Sequence, residues 1–181
     1  GAKYMDVLEL GGMSRKGYQL IQNDKVGTYT NNGVTFTIQE DGGVRLNGTA
    51  SGGNALMVIS SISASGTITG SVNKDIPSGI TIGIKDASWN VKCEIDSTLN
   101  PRTTELGNFV ATQAWVRVSN GVSVNCTIYP MYEKGSVAHP YEPYTPNLID
   151  TKVDDVDKFD EEMLKQITTG ACISCTGTLV E

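Results

Sequence analysis

Histidine is almost missing from this chain: His139 is the one imidazole in 181 residues. A multi-histidine metal site is therefore excluded. Charge is scarce as well, at 19% of residues against about 25% in an average soluble chain. The formal net charge of −6 excludes a strongly basic nucleic-acid binder. No apolar run approaches the roughly 18 residues of a membrane-spanning helix. The opening Gly1-Ala2-Lys3-Tyr4-Met5 lacks the basic, apolar and small-residue order of a secretory signal. The four cysteines, Cys93, Cys126, Cys172 and Cys175, are too few and too scattered for a disulfide-dense scaffold.

Threonine, serine, asparagine and glycine are what the chain has in quantity, 65 residues together. These are poor helix formers, so a largely helical protein is excluded. The charge is unevenly spread. Residues 1–146 carry 12 acids and 11 bases, whereas residues 147–167 carry seven acids and three bases. The body is near neutral and has no field to steer a polyanion.

From residue 26 onward the pattern is strand, turn, strand. Val34, Phe36 and Ile38 alternate with threonines, Glu40-Asp41-Gly42-Gly43 hold acidic-glycine turn chemistry, and Val44 and Leu46 alternate again. This predicts a β-hairpin. Ala55 to Ile62 reads as a strand covered on both faces. Ile80, Ile82 and Ile84 alternate, as do Val91, Cys93 and Ile95, with Asp86 to Asn90 turning between them. Val116 and Val118 lead into Asn120-Gly121, a hairpin signal, after which Val122, Val124, Cys126 and Ile128 alternate. Short strands of period two with turns at roughly 10-residue spacing predict an all-β, antiparallel β-sandwich or jelly roll. Cys93 and Cys126 are expected as small apolar residues on its strands.

The period then changes. Thr145-Pro146 resembles a helix entrance, with Thr as N-cap and Pro at the first helical position. Ile149, Val153, Val156, Met163 and Ile167 follow at heptad-like spacing, with Asp160 in the seam, and Thr169-Gly170 is a stop. So acidic and thinly apolar a helix is marginal alone. It either lies on its own β-domain or meets the same seam of other copies as a short coiled coil. The acid-rich outer face favours the second, and Leu148, Phe159 and Leu164 widen the stripe toward a homotrimer. The expected organisation is an N-terminal extension (1–25), a β-domain (26–145), a helical segment (146–169) and an extended tail (170–181).

The stretch Asn32-Gly33-Val34-Thr35-Phe36-Thr37-Ile38 to Val44-Arg45-Leu46-Asn47-Gly48-Thr49-Ala50 resembles a phrase of tail-associated proteins of phages and prophages of Gram-positive bacteria, NGVTFTVNxDGTVTVNGTA. A second phrase there, FYPML followed by YEPY, is similar to Ile128-Tyr129-Pro130-Met131-Tyr132 and Tyr141-Glu142-Pro143-Tyr144. Those proteins commonly continue into a short helical segment. The resemblance covers about residues 30–148. It implies a carbohydrate-binding-module-like sandwich in a virion tail or prophage-encoded particle, with other tail proteins and host-surface glycan as partners. Arg45 and Leu46 depart from the usual Thr and Val, Trp89 replaces a small turn residue, and residues 1–25 have no counterpart.

Reaction chemistry has little to stand on. No G-x-S-x-G elbow surrounds a serine. Cys172-x-x-Cys175 lacks further zinc ligands at sensible spacing and lacks a βαβ context. Asp154-Asp155 and Asp160-Glu161-Glu162 fall on a solvated helix face. No enzyme activity, cofactor or metal is expected; calcium is the one ion that loop carboxylates would suit, and no D-x-D-x-D spacing supports it. Aromatic residues are the better lead. Val116 and Val118 point inward, so Trp115 and Arg117 belong on the opposite face, where Trp115 is covered by the N-terminal segment, by a neighbouring chain or by a ligand. Trp89 belongs at an exposed hairpin tip. Trp89, Trp115 and Arg117 are the candidate carbohydrate contacts. Tyr129, Tyr132, Tyr141 and Tyr144 are expected to clamp the exit segment. The function implied is a non-enzymatic tail module binding glycan as an oligomer; the alternative is an ancillary carbohydrate-binding module of an extracellular or prophage-encoded hydrolase.

Overall fold

The alternating stretches all become strands. A computed structural model describes residues 17–146, and Tyr18–Thr145 form one compact unit. The seam from Ile149 to Ile167 and the Cys172/Cys175 pair lie outside the described residues. The described chain is all-β, and every strand pairing is antiparallel.

One sheet has the order β1 (Gly27–Asn31), β2 (Val34–Ile38), β3 (Val44–Thr49), β10 (Ser123–Ile128). A second runs β4 (Ala55–Ala64), β9 (Ala111–Val118), β6 (Ile80–Lys85), β7 (Val91–Ile95). The third is β11 (Pro130–Lys134), β5 (Thr67–Val72), β8 (Arg102–Glu105). The inward residues of the three form one apolar cluster. Phe36 and Leu46 come from the first sheet, Ile82, Ile84 and Val116 from the second, and Ile68 and Tyr132 from the third.

Local chemistry sets the hairpins. Asn32 and Gly33 join β1 to β2 with φ of 44° and 83°, the left-handed pair that a two-residue turn of a right-twisted hairpin requires. The β2–β3 hairpin pairs Ile38 with Val44, and the Asp41 carboxylate accepts the Gly43 N–H at 3.0 Å within its turn.

Three expectations are corrected. Asn120-Gly121 does make a turn, with the Val122 N–H donating to Ser119 O at 3.0 Å, but it does not make a hairpin. β9 pairs with β4 and β6 whereas β10 pairs with β3, so the turn carries the chain from one sheet to another. The two Asn-Gly turns differ locally: Gly121 is left-handed at φ 85° but Asn120 is not, so the left-handed pair that closes the Asn32-Gly33 hairpin is missing here. Second, Val91 does not alternate inward with Cys93 and Ile95. A register shift in the β6–β7 pair, with Cys93 at φ 52°, places Val91 opposite Lys85 and leaves it exposed. Third, the compact unit begins at Tyr18 rather than at residue 26. The Leu20 N–H donates to Tyr132 O at 2.8 Å and the Gln22 N–H to Ser61 O at 3.0 Å. Gln19 lies buried, its amide donating to Pro130 O at 3.0 Å. This polar segment therefore bridges β11 and β4, a role without a periodicity to announce it.

Candidate functional site

The face of β4, β9 and β6 turned away from the core can be read row by row, since paired residues share a face. Leu56, Arg117 and Thr81 form one row, and Val58, Trp115 and Gly83 the next. Gln113 and Lys85 follow. Trp115 and Arg117 thus lie opposite Val116 and Val118, but Trp115 is only 1% exposed. The reason is Gly83: a Cβ there would fall 2.4 Å from Trp115 Cζ2, so the indole occupies the space that a side chain on the neighbouring strand would fill. The Arg117 guanidinium stands over the ring, its carbon 5.6 Å from the centroid. The expected sugar platform at Trp115 is therefore closed.

Trp89 is open. The Asp86 carboxylate accepts the N–H groups of Ser88 and Asn90 at 2.9 and 2.8 Å and the Asn90 side-chain amide at 2.8 Å. These bonds, the Asn90 side chain foremost, hold its carboxyl below the usual range. Inside this turn Trp89 has φ 64° and its ring stands 51% exposed. Lys85, itself 4% exposed, places Nζ 4.3 Å from the Trp89 ring centroid. The ammonium donates to Asp86 O at 2.9 Å and to Gln113 Oε1 at 3.0 Å.

Elsewhere on the same unit lies a cleft of about 470 Å³. Its lining includes the rings of Tyr129, His139 and Tyr141 together with Ser71, Asn73 and Asn100. Tyr129 and Tyr141 meet edge to face, centroids 5.2 Å apart. Both reach the β2–β3 turn: the Tyr129 hydroxyl donates to the Asp41 carboxylate at 3.0 Å and the Tyr141 hydroxyl to Asp41 O at 2.6 Å. Burial, with the Asp41 charge behind it, pushes the Tyr141 hydroxyl up to about 12. His139 is not simply solvated. Its ring stacks on Tyr18 at 3.8 Å, and its Nδ1 lies 2.5 Å from the fully buried Glu133 carboxylate. Asn100 is engaged as well, its amide donating to Val72 O at 3.1 Å. The Asn73 amide and the Ser71 hydroxyl make no side-chain hydrogen bond among the described residues, so they are the polar groups with capacity for a ligand.

Tyr129 and Tyr141 clamp the exit segment to the β2–β3 turn and build the cleft wall, whereas Tyr132 is buried in the core with its hydroxyl donating to Cys93 O at 2.7 Å. No pattern in the sequence brings Ser71, Asn73 and Asn100 to that wall; the signal available was the spacing of the two tyrosine phrases. No group of three or more histidine, cysteine or acidic side chains that could hold a metal ion occurs among the described residues. No described helix is long and apolar enough to cross a membrane.

No family model matches the chain. It is 42% identical over 78 residues to an asparagine–tRNA ligase of Phocaeicola vulgatus and 41% identical over 78 residues to that of Bacteroides fragilis, matches that take in 42% of this chain. The chain spans 14% of the length of these curated relatives. Among solved structures, it is similar to a chain of the accessory secretory protein 1, 2 and 3 structure of Streptococcus pneumoniae, with a TM-score of 0.41 and 14% identity over 67% of this chain and 99% of that one.

Proposed function

We propose that this chain is a non-catalytic binding module, a β-sandwich that holds host-surface saccharide in the Tyr129–His139–Tyr141 cleft. We further propose that it is carried by a tail protein of a phage or prophage. The observation that carries the binding reading is the cleft itself. Its volume of about 470 Å³ falls within the roughly 300–1,000 Å³ of small-ligand sites. Aromatic rings offer apolar faces to sugar C–H groups, and Asn73 and Ser71 offer donors and acceptors to hydroxyls. The tail assignment rests on the two sequence phrases, the second of which supplies the cleft's tyrosines.

The apolar seam Ile149, Val153, Val156, Met163 and Ile167 suits assembly into a homotrimer, in which three weak sites gain avidity without new contacts. Cell-wall polysaccharide and a glycan array probed with the full chain test the reading. Retention is expected, with Tyr141→Ala or Asn73→Ala weakening it at least tenfold in chains that still fold. Silence on every glycan would overturn it. A trimeric mass in solution supports the tail form, whereas a glycan-binding monomer supports an ancillary module of an extracellular or prophage-encoded hydrolase.

A further inference from the structure

We infer that the outer face of β4, β9 and β6 carries a second site, separate from the cleft, that takes the carboxylate of an acidic saccharide. Three donors lie along this face, none of them met by an acid. The Trp115 indole N–H is buried and has no hydrogen-bond partner. Arg117 has one side-chain hydrogen bond among the described residues, from Nη2 to Thr81 Oγ1 at 3.3 Å, and no ion pair. Lys85 is buried and its ammonium is met by a carbonyl and an amide oxygen but by no carboxylate within bonding distance. The neighbouring acid, Asp86, has both oxygens engaged by Ser88 and Asn90.

The three rows of this face contain two cations and no acidic residue. A buried indole N–H without an acceptor and a buried ammonium without a counter-charge are unfavourable unless one arrives. A carboxylate supplies both: it accepts from the indole N–H and forms charge-assisted bonds with the guanidinium. Arg117, half-buried and held by one long bond to Thr81, is the part of this face able to turn toward a ligand. Gln113 to Arg117 spans about 14 Å of strand, and the exposed Trp89 ring lies beyond Lys85 at one end. An apolar ring beside the Lys85 ammonium, on a face that also carries Arg117, favours a pyranose ring bearing the acid over a bare anion.

The full chain, labelled with ¹⁵N, is titrated with trigalacturonate and with the uncharged maltotriose. Trigalacturonate is expected to shift the Trp115 indole N–H resonance, to bind at least tenfold more weakly to Arg117→Gln, and to weaken between 50 and 500 mM salt. Arg117→Lys, which keeps the charge, is expected to bind within a few-fold of the parent; a tenfold loss there would overturn the charge argument. No Trp115 shift, or an equal shift with maltotriose, would overturn the proposal. So would tighter binding of triglutamate than of trigalacturonate, which would give the face to a protein partner. Binding in the cleft is followed in the same spectra through residues 71–73, so the two readings fail or survive separately.

Discussion

Trp115 lies across Gly83, its Cζ2 2.4 Å from the point where a Cβ on that residue would stand. The two are direct partners in the β6–β9 pair. The glycine's role is the room it leaves above the strand, into which the indole folds. Gly83→Val is therefore expected to displace the ring and to cost about 1–3 kcal/mol, the usual range for overpacking. Urea unfolding measures the loss, and a change in tryptophan emission reports the exposed ring. Unchanged stability together with unchanged emission would show that the ring does not need this gap.

The cleft wall has an alkaline limit. Burial and the Asp41 charge raise Tyr141 from 10.0 to about 12, and the Asp41 hydrogen bond raises Tyr129 as well. A group raised on folding contributes stability that is complete below its unfolded value and is lost as pH climbs through the folded one. Melting temperature is thus expected to fall between pH 10 and 12, and less steeply in Tyr141→Phe. Absorbance near 295 nm checks the titration directly; parallel declines in parent and variant would remove Tyr141 as a cause.

The N-terminal segment has the opposite dependence. Asp24 is lowered from 3.8: partial burial pushes it up, but the bonds from Ser61 and Ser60 outweigh this. The Ser61 N–H donates to Asp24 Oδ1 at 2.8 Å and the Ser60 hydroxyl to the same oxygen at 3.1 Å. A lowered carboxyl contributes stability above its unfolded value, and the contribution disappears as pH falls through the folded one. Asp24→Asn is expected to cost about 1 kcal/mol at neutral pH, with the two proteins converging below pH 3.8. A gap that persists in acid would point to shape rather than charge.

Strand identity was legible in the sequence because a period of two is a local property. Val34 to Ile38, Val44 to Leu46 and Ile80 to Ile84 each show which side faces the core without reference to any partner. Turn chemistry was legible for the same reason: Asn32-Gly33 and Asp41-Gly42-Gly43 set backbone angles within a few residues. Asn120-Gly121 marks the limit, since a correct turn did not reveal that its flanking strands belong to different sheets.

The candidate site was legible only in part. Trp89 stands exposed at its tip because a five-residue turn leaves an indole nowhere to bury. Trp115 lies on the face that alternation assigns, yet its closure depends on a glycine 32 positions earlier. The cleft needs Ser71 and Asn73, Asn100, Tyr129 and the 138–141 segment, which meet only after the sheets assemble. Composition and periodicity thus determined the all-β character, the inward residues and the turns, because these follow from interactions between near neighbours in the chain. Tertiary structure decided sheet membership, the burial of Trp115 and the existence of the cleft, because those depend on which distant side chains fill or leave empty the same space.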